Sequence, residues 1–232
     1  MGASSLEHLP ELMAILAHDL RNPLSALLTN IHFVQSVARG SPLDVDEALS
    51  DSAMSCAILG QIIGNLEVLG RAFGGPHPPP TSVGTREAAG HALGRATPQS
   101  RLAGIEIALT PGALGAAVLV EPVFFGRALD NVLANALQYS PANGKISVEL
   151  VTTGERGGVL VSDQGPIVPR EFRERVLTEE GQDAAKRLYE ARYGRGLALY
   201  CAGQAARIAG AELILGERDG HFVAQLWAPL VP

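Results

Sequence analysis

Leu16-Ala17-His18-Asp19-Leu20-Arg21-Asn22-Pro23-Leu24 lies within a run where Met13, Leu16, Leu20, Leu24, Leu27, Ile31 and Val34 recur at steps of three and four. That spacing lines them along one face of a helix and predicts a single amphipathic helix from about Leu6 to Arg39. Gly40, Ser41 and Pro42 interrupt the pattern, and Val45 to Phe73 resumes it with Leu49, Met54, Ile58, Ile62, Leu66 and Leu69. The pair reads as a helical hairpin. One hairpin has too little partner surface for two such stripes, whereas two hairpins closing into a dimeric four-helix bundle bury both, so the pattern implies a homodimer.

Taking about 100° per residue, His18 falls roughly 160° from the centre of the apolar stripe, on the solvent side. Asn22 lies about 40° from it on the same face, and Asp19 is its neighbour in sequence. An exposed helical histidine is ordinarily solvated surface. Here a carboxylate adjoins it, and a carboxylate can orient an imidazole or take its proton while the ring nitrogen attacks phosphorus. Pro23 removes a helical hydrogen bond at a cost of about 3 kcal/mol and is expected to bend the axis. His8, His32, His77, His91 and His221 lack such surroundings and read as surface or structural.

Gly74 to Gly84 holds Pro76, Pro78, Pro79 and Pro80 and reads as a semi-rigid linker between a first domain, 1–73, and a second, 85–232. The second alternates helix and strand. Helices are expected near Arg86–Leu102, Val123–Leu137 and Leu197–Ile208. Strands are expected near Ile105–Leu109, Ala117–Val120, Ile146–Val151, Gly158–Ser162, Glu212–Leu215 and Phe222–Leu226. This is an α+β sandwich pattern.

Three local patterns in that second domain carry chemistry. In Asp130-Asn131-Val132-Leu133-Ala134-Asn135-Ala136-Leu137-Gln138-Tyr139-Ser140, two asparagines four apart share a helical face. Their carboxamide oxygens are hard ligands suited to Mg²⁺ that bridges phosphates, although helix capping or plain surface is the simpler use of asparagine. Val159-Leu160-Val161-Ser162-Asp163-Gln164-Gly165-Pro166 reads as a buried strand ending in an acidic turn. An aspartate there can accept a hydrogen bond from the exocyclic amine of adenine, or can simply form the turn. Tyr193-Gly194-Arg195-Gly196-Leu197-Ala198-Leu199 sets glycines before an apolar helix, where free N–H groups and the helix dipole can hold phosphate.

Composition narrows the partners. With 232 residues, 47% of them hydrophobic, the chain can build two modest cores. A net charge of -6 gives no general attraction to nucleic acid or to an anionic membrane surface. Cys56 and Cys201, the two cysteines, are far apart in apparently helical stretches and suggest neither a disulfide framework nor a metal site. The sparse cysteines make a reducing cytoplasm the expected location, and no stretch reads as a membrane span of roughly 20 apolar residues. A signal would then arrive through a separate sensor protein or the short segment before Leu12.

Taken together, Leu16 to Leu24 resembles the H-box of the dimerisation and histidine-phosphotransfer domain of sensor histidine kinases. The asparagine helix, the Asp163-Gln164-Gly165 turn and the Gly194 to Leu199 stretch resemble, in family order, the N-box and glycine boxes of the kinase ATP-binding domain. That domain's fold is shared with gyrase-type and chaperone ATPases. The resemblance implies that His18 is the phosphoacceptor, that Asp19 assists it, and that Asn22 helps water dephosphorylate the partner. It implies that Asn131 and Asn135 handle Mg²⁺ and phosphates and that Asp163 binds adenine. Gly165, Gly194 and Gly196 would shape the pocket, with Gln138, Tyr139 and Leu197 beside them.

The expected activity is ATP-dependent autophosphorylation of His18 followed by transfer to an aspartate on a response-regulator receiver domain. The alternatives are a histidine phosphotransferase with a degenerate ATP-binding domain and a non-enzymatic dimeric scaffold for a receiver domain. Three departures from the family pattern stand out. Pro166 and Ile167 follow Gly165 where a second glycine is usual. Gln138 replaces a commonly basic residue, and in Arg170 to Glu180 only Phe172, placed early, corresponds to the family's phenylalanine box.

Overall fold

A computed structural model describes residues 9–37, 42–72, 78–110, 114–178 and 197–232. The chain divides into two compact units, Met1–Glu67 and Val68–Pro232. In the first, α1 spans Leu9–Val37 and passes through Pro23 as one helix. The second helix, α2, spans Pro42–Ala72. Pro42, read above as a breaker, opens it; at a first helical position the missing N–H has no partner to lose.

The predicted stripe of α1 is only partly covered by its own chain. Leu24 and Ile31 of that stripe are exposed, Leu24 by 47%, while Leu20, Leu27 and Val34 are half-buried; Leu28, beside the stripe, is exposed too. On α2, Leu49, Ile58 and Ile63 are likewise exposed. By length and composition Asp51–Ala72 could cross a membrane, with a mean hydropathy of 1.4 in its most apolar stretch, which corrects the expectation that no stretch would qualify. Its last turn serves a protein core instead. Val68 is fully buried in the core of the second unit, and the Arg71 guanidinium lies 5.9 Å from the Phe124 ring centroid.

Within the second unit the elements are β1 (Thr81–Gly84), α3 (Thr85–Leu102), β2 (Glu106–Leu109), β3 (Ala117–Val120) and α4 (Pro122–Tyr139). They continue with β4 (Lys145–Thr153), β5 (Arg156–Asp163), α5 (Ala198–Ala209), β6 (Glu212–Arg218) and β7 (His221–Pro229). Short 3₁₀ turns at Arg170–Phe172 and Arg175–Leu177 follow β5. Thr81–Gly84, assigned above to the linker, is a strand because β3 supplies an antiparallel partner, with Thr81 opposite Val120.

A five-stranded sheet runs β2-β4-β5-β7-β6, parallel between β2 and β4 and antiparallel elsewhere. Alternation turns Ile146, Val148, Leu150, Val159, Val161, Ala224 and Leu226 toward one core, shared with the inner faces of α3, α4 and α5. Asp219 and Gly220, at φ 55° and 77°, close the β6–β7 hairpin, a left-handed pair that Asp-Gly adopts at low cost. Glu121 caps α4 through its Oε2, which accepts from the Phe124 N–H at 2.7 Å, and Pro122 follows at the first helical position.

Cys201 sits in α5 with no exposed surface, and burial pushes its thiol well above the usual range, so the reactive thiolate is suppressed. In a Cys56→Ser variant, Ellman's reagent is expected to leave the folded protein unlabelled and to titrate Cys201 once guanidinium unfolds it. Prompt labelling of the folded variant would mean that this core is open.

Candidate functional site

The site forms where α4 ends and β5 turns. Phe125, Ala128, Leu129, Val132, Leu133 and Ala136 anchor α4 in the core, which leaves Asn131 and Asn135, one turn apart, on an adjoining strip. These asparagines are 1% and 2% exposed, so the capping or surface use considered above does not apply. The Asn131 Nδ2 donates to the Arg127 carbonyl at 3.0 Å. Its Oδ1 is buried and meets no donor among the described residues. A buried carbonyl oxygen without a partner costs free energy unless something binds it, and this one is the hard donor that Mg²⁺ prefers. Gln138 is exposed and Tyr139 half-buried at the end of the same helix.

Asp163 closes β5 and is 1% exposed. Its Oδ1 accepts from the Gly165 N–H at 2.8 Å, forming a tight Asx turn. The turn is pressed against the end of α4: a Cβ on residue 165 would lie 2.6 Å from the Tyr139 carbonyl oxygen and 2.9 Å from Asp163 Oδ1. Only glycine fits there. The structure therefore brings Asp163, Gly165 and Tyr139 together at the end of the asparagine helix. Beyond the turn, Ile167 packs against the core, so part of its branched side chain is drawn away from the position where a second glycine is usual.

Phe172 is half-buried against the core, with Arg175 stacked 5.8 Å from its ring centroid. Leu197, 4% exposed, opens α5 and accepts from the Cys201 N–H at 2.7 Å. Gly194 and Gly196 lie outside the described residues. His18 and Asp19 are placed on α1 by their backbone, and their side chains are likewise outside what is described. Asn22, one turn on, is exposed.

Sequence reading missed one feature of this site. Arg95 on α3 grips Asp130, the residue before Asn131, with Nε 2.9 Å and 3.1 Å from the two carboxylate oxygens and Nη2 2.8 Å from Oδ1. Burial raises the Asp130 carboxyl above its ordinary value, outweighing Arg95 and Arg127, which act in the opposite sense. No local signal announces a contact between residues 35 apart in sequence.

Gly165→Ala is expected to destabilise the second unit by about 1–3 kcal/mol, because the added methyl must displace backbone at the end of α4. Urea denaturation followed by tryptophan fluorescence measures this. An unchanged midpoint would mean that the turn and the helix end are not in contact in solution.

Residues 120–231 match the family described as histidine kinase-, DNA gyrase B- and HSP90-like ATPases. The chain is 29% identical over 204 residues to the signal transduction histidine-protein kinase/phosphatase MprB of Mycolicibacterium smegmatis, covering 85% of this chain and 40% of that protein. It is also 29% identical over 211 residues to the adaptive-response sensory kinase SasA of Trichormus variabilis, covering 84% of this chain and 51% of that one. The chain thus spans about half or less of the length of these relatives. Among solved structures, the Acinetobacter baumannii histidine kinase AdeS aligns with a TM-score of 0.60 at 14% identity, over 93% of this chain and 98% of that one. A mycobacterial sensor histidine kinase MprB aligns at 0.53 and 24% identity, over 66% and 99%. At these identities the likeness speaks for the fold. The buried asparagine pair and the Asp163 turn both lie inside the stretch, residues 120–231, that is similar to the histidine kinase-, DNA gyrase B- and HSP90-like ATPases.

Proposed function

We propose that the chain is the catalytic core of a two-component histidine kinase, which phosphorylates its own His18 with ATP and passes the phosphoryl group to an aspartate on a response-regulator receiver domain. The observation that carries this reading is the pair of buried asparagines on α4, one with its carbonyl oxygen unpartnered among the described residues. A core that tolerates two carboxamides for no ligand would lose stability without return.

In this reading Asn131 and Asn135 hold Mg²⁺, which neutralises phosphate charge when bound. The Asp163 carboxylate accepts a hydrogen bond from the exocyclic amine of adenine, and Gly165 keeps the turn narrow enough for the base to lie against it. Gln138, Tyr139, Leu197, Gly194 and Gly196 complete the nucleotide pocket by resemblance. On α1, Asp19 orients the His18 imidazole or takes its proton as a ring nitrogen attacks the γ-phosphorus and ADP departs. Asn22, exposed one turn away, positions water for dephosphorylation of the receiver aspartate.

Two copies pair in the proposed kinase. Support comes from Leu24, Leu28, Ile31, Leu49 and Ile63, apolar side chains that one chain leaves exposed along α1 and α2. Pairing into a four-helix bundle would cover them and create the docking surface for the receiver domain.

The test is incubation with γ-labelled Mg-ATP. Acid-labile, alkali-stable label is expected on the wild-type chain and none on His18→Ala, with Asn135→Ala reduced about a hundredfold. Label persisting in His18→Ala would sink the assignment. Absent label together with absent ATP binding would favour the phosphotransferase.

A further inference from the structure

The contact between α3 and α4 has a property that bears on the asparagines. Where α3 meets the core it presents Ala89 and Ala92, both 1% exposed. With Leu93 and Ala96 partly buried beside them, these small side chains let α3 and α4 approach closely, because interaxial distance follows the side chains at the contact. Across that contact runs the directional fork from Arg95 to Asp130. Gly126, one turn before Asp130, lies beside the guanidinium: a Cβ there would sit at ordinary van der Waals distance, 3.7 Å, from Arg95 Nη2. Arg95 therefore lies along the flank of α4 over bare backbone and ends on both carboxylate oxygens.

Asp130 stands about 100° around the helix from Asn131. Phe125, Leu129 and Leu133 seat α4 in the core, and a grip on that flank adds a restraint against small rotations about the helix axis. At a side-chain radius of about 6 Å, a roll of about 10° moves the Asn131 oxygen by about 1 Å, a displacement large enough to disable a preorganised ligand.

We propose that Arg95 is a positioning residue for the nucleotide site, its two-pronged grip on Asp130 setting the roll of α4 and so aiming the Asn131 carboxamide at bound Mg²⁺ and phosphate. The inference rests on the ATP-dependent reading given above. Arg95 itself touches no reacting group. Its effect falls first on the metal, because Asn131 projects from α4 itself, whereas the adenine contact is assigned to Asp163, held by the pairing of β5 with its neighbouring strands.

Binding by the full chain tests this, read by calorimetry for Mg-ATP and for ADP in excess chelator, beside a thermal melt. Arg95→Leu is expected to weaken Mg-ATP about tenfold and metal-free ADP by a much smaller factor. Arg95→Lys keeps the charge but loses the fork, and should fall between Arg95→Leu and the parent. The proposal is overturned if both variants bind Mg-ATP like the parent, or if both ligands weaken by the same factor, as a merely structural tie would give. Should Arg95→Leu fail to fold, Arg95→Lys decides by the same comparison. A parent that binds no Mg-ATP removes this proposal and the kinase reading together, whereas a binding parent with indifferent variants removes this one alone.

Discussion

Burying two carboxamides on a core helix is unfavourable, and α4 can do so because the rest of its surface is so strongly apolar. Phe125, Leu129, Val132, Leu133 and Ala136 hold it against the sheet, α3 and α5, and Glu121 and Pro122 fix where it starts. The Asp163 turn is packed against its far end. Remove the helix from its seat and the asparagines, the turn and the glycine that fits beneath the Tyr139 carbonyl lose their common reference. The site is a by-product of one well-anchored helix.

Much of this arrangement is legible in the sequence because it depends on short-range pattern. The helices follow from periodicity, and β3 to β7 follow from short β-branched or alternating runs bounded by turn residues. Asn131 and Asn135 stand out because spacing alone puts them on one face. Thr81–Gly84 is different: it carries no strong strand signal, and only its pairing with β3 makes it a strand. The Arg95 to Asp130 fork and the closeness of Gly165 to Tyr139 are tertiary facts, set by how α3, α4 and β5 are laid side by side. Asp130 heads the asparagine motif in the sequence, but nothing local distinguishes it from any other surface carboxylate.

The membrane question shows the limit of composition. Asp51–Ala72 has the length and hydropathy of a span, yet Val68 near its end is sealed among the side chains of the second unit's core. An apolar helix in lipid shows apolar groups all round, whereas α2 carries Ser52, Ser55, Gln61 and Asn65 along the same stretch.

Strand order has a consequence for how the chain is made. The last strand in chain order, β7, lies inside the sheet, between β5 and β6. Until it emerges from the ribosome, β5 presents an open edge along its length, and β6 has no partner at all. The helices of the first unit are synthesised long before, from local patterns that need no distant strand. During synthesis, then, one half can assemble while the other waits with an unpaired, valine-rich edge, the kind of surface on which chaperones act and from which aggregation begins. The quick Asp219-Gly220 turn that brings β7 back onto β6 shortens that wait.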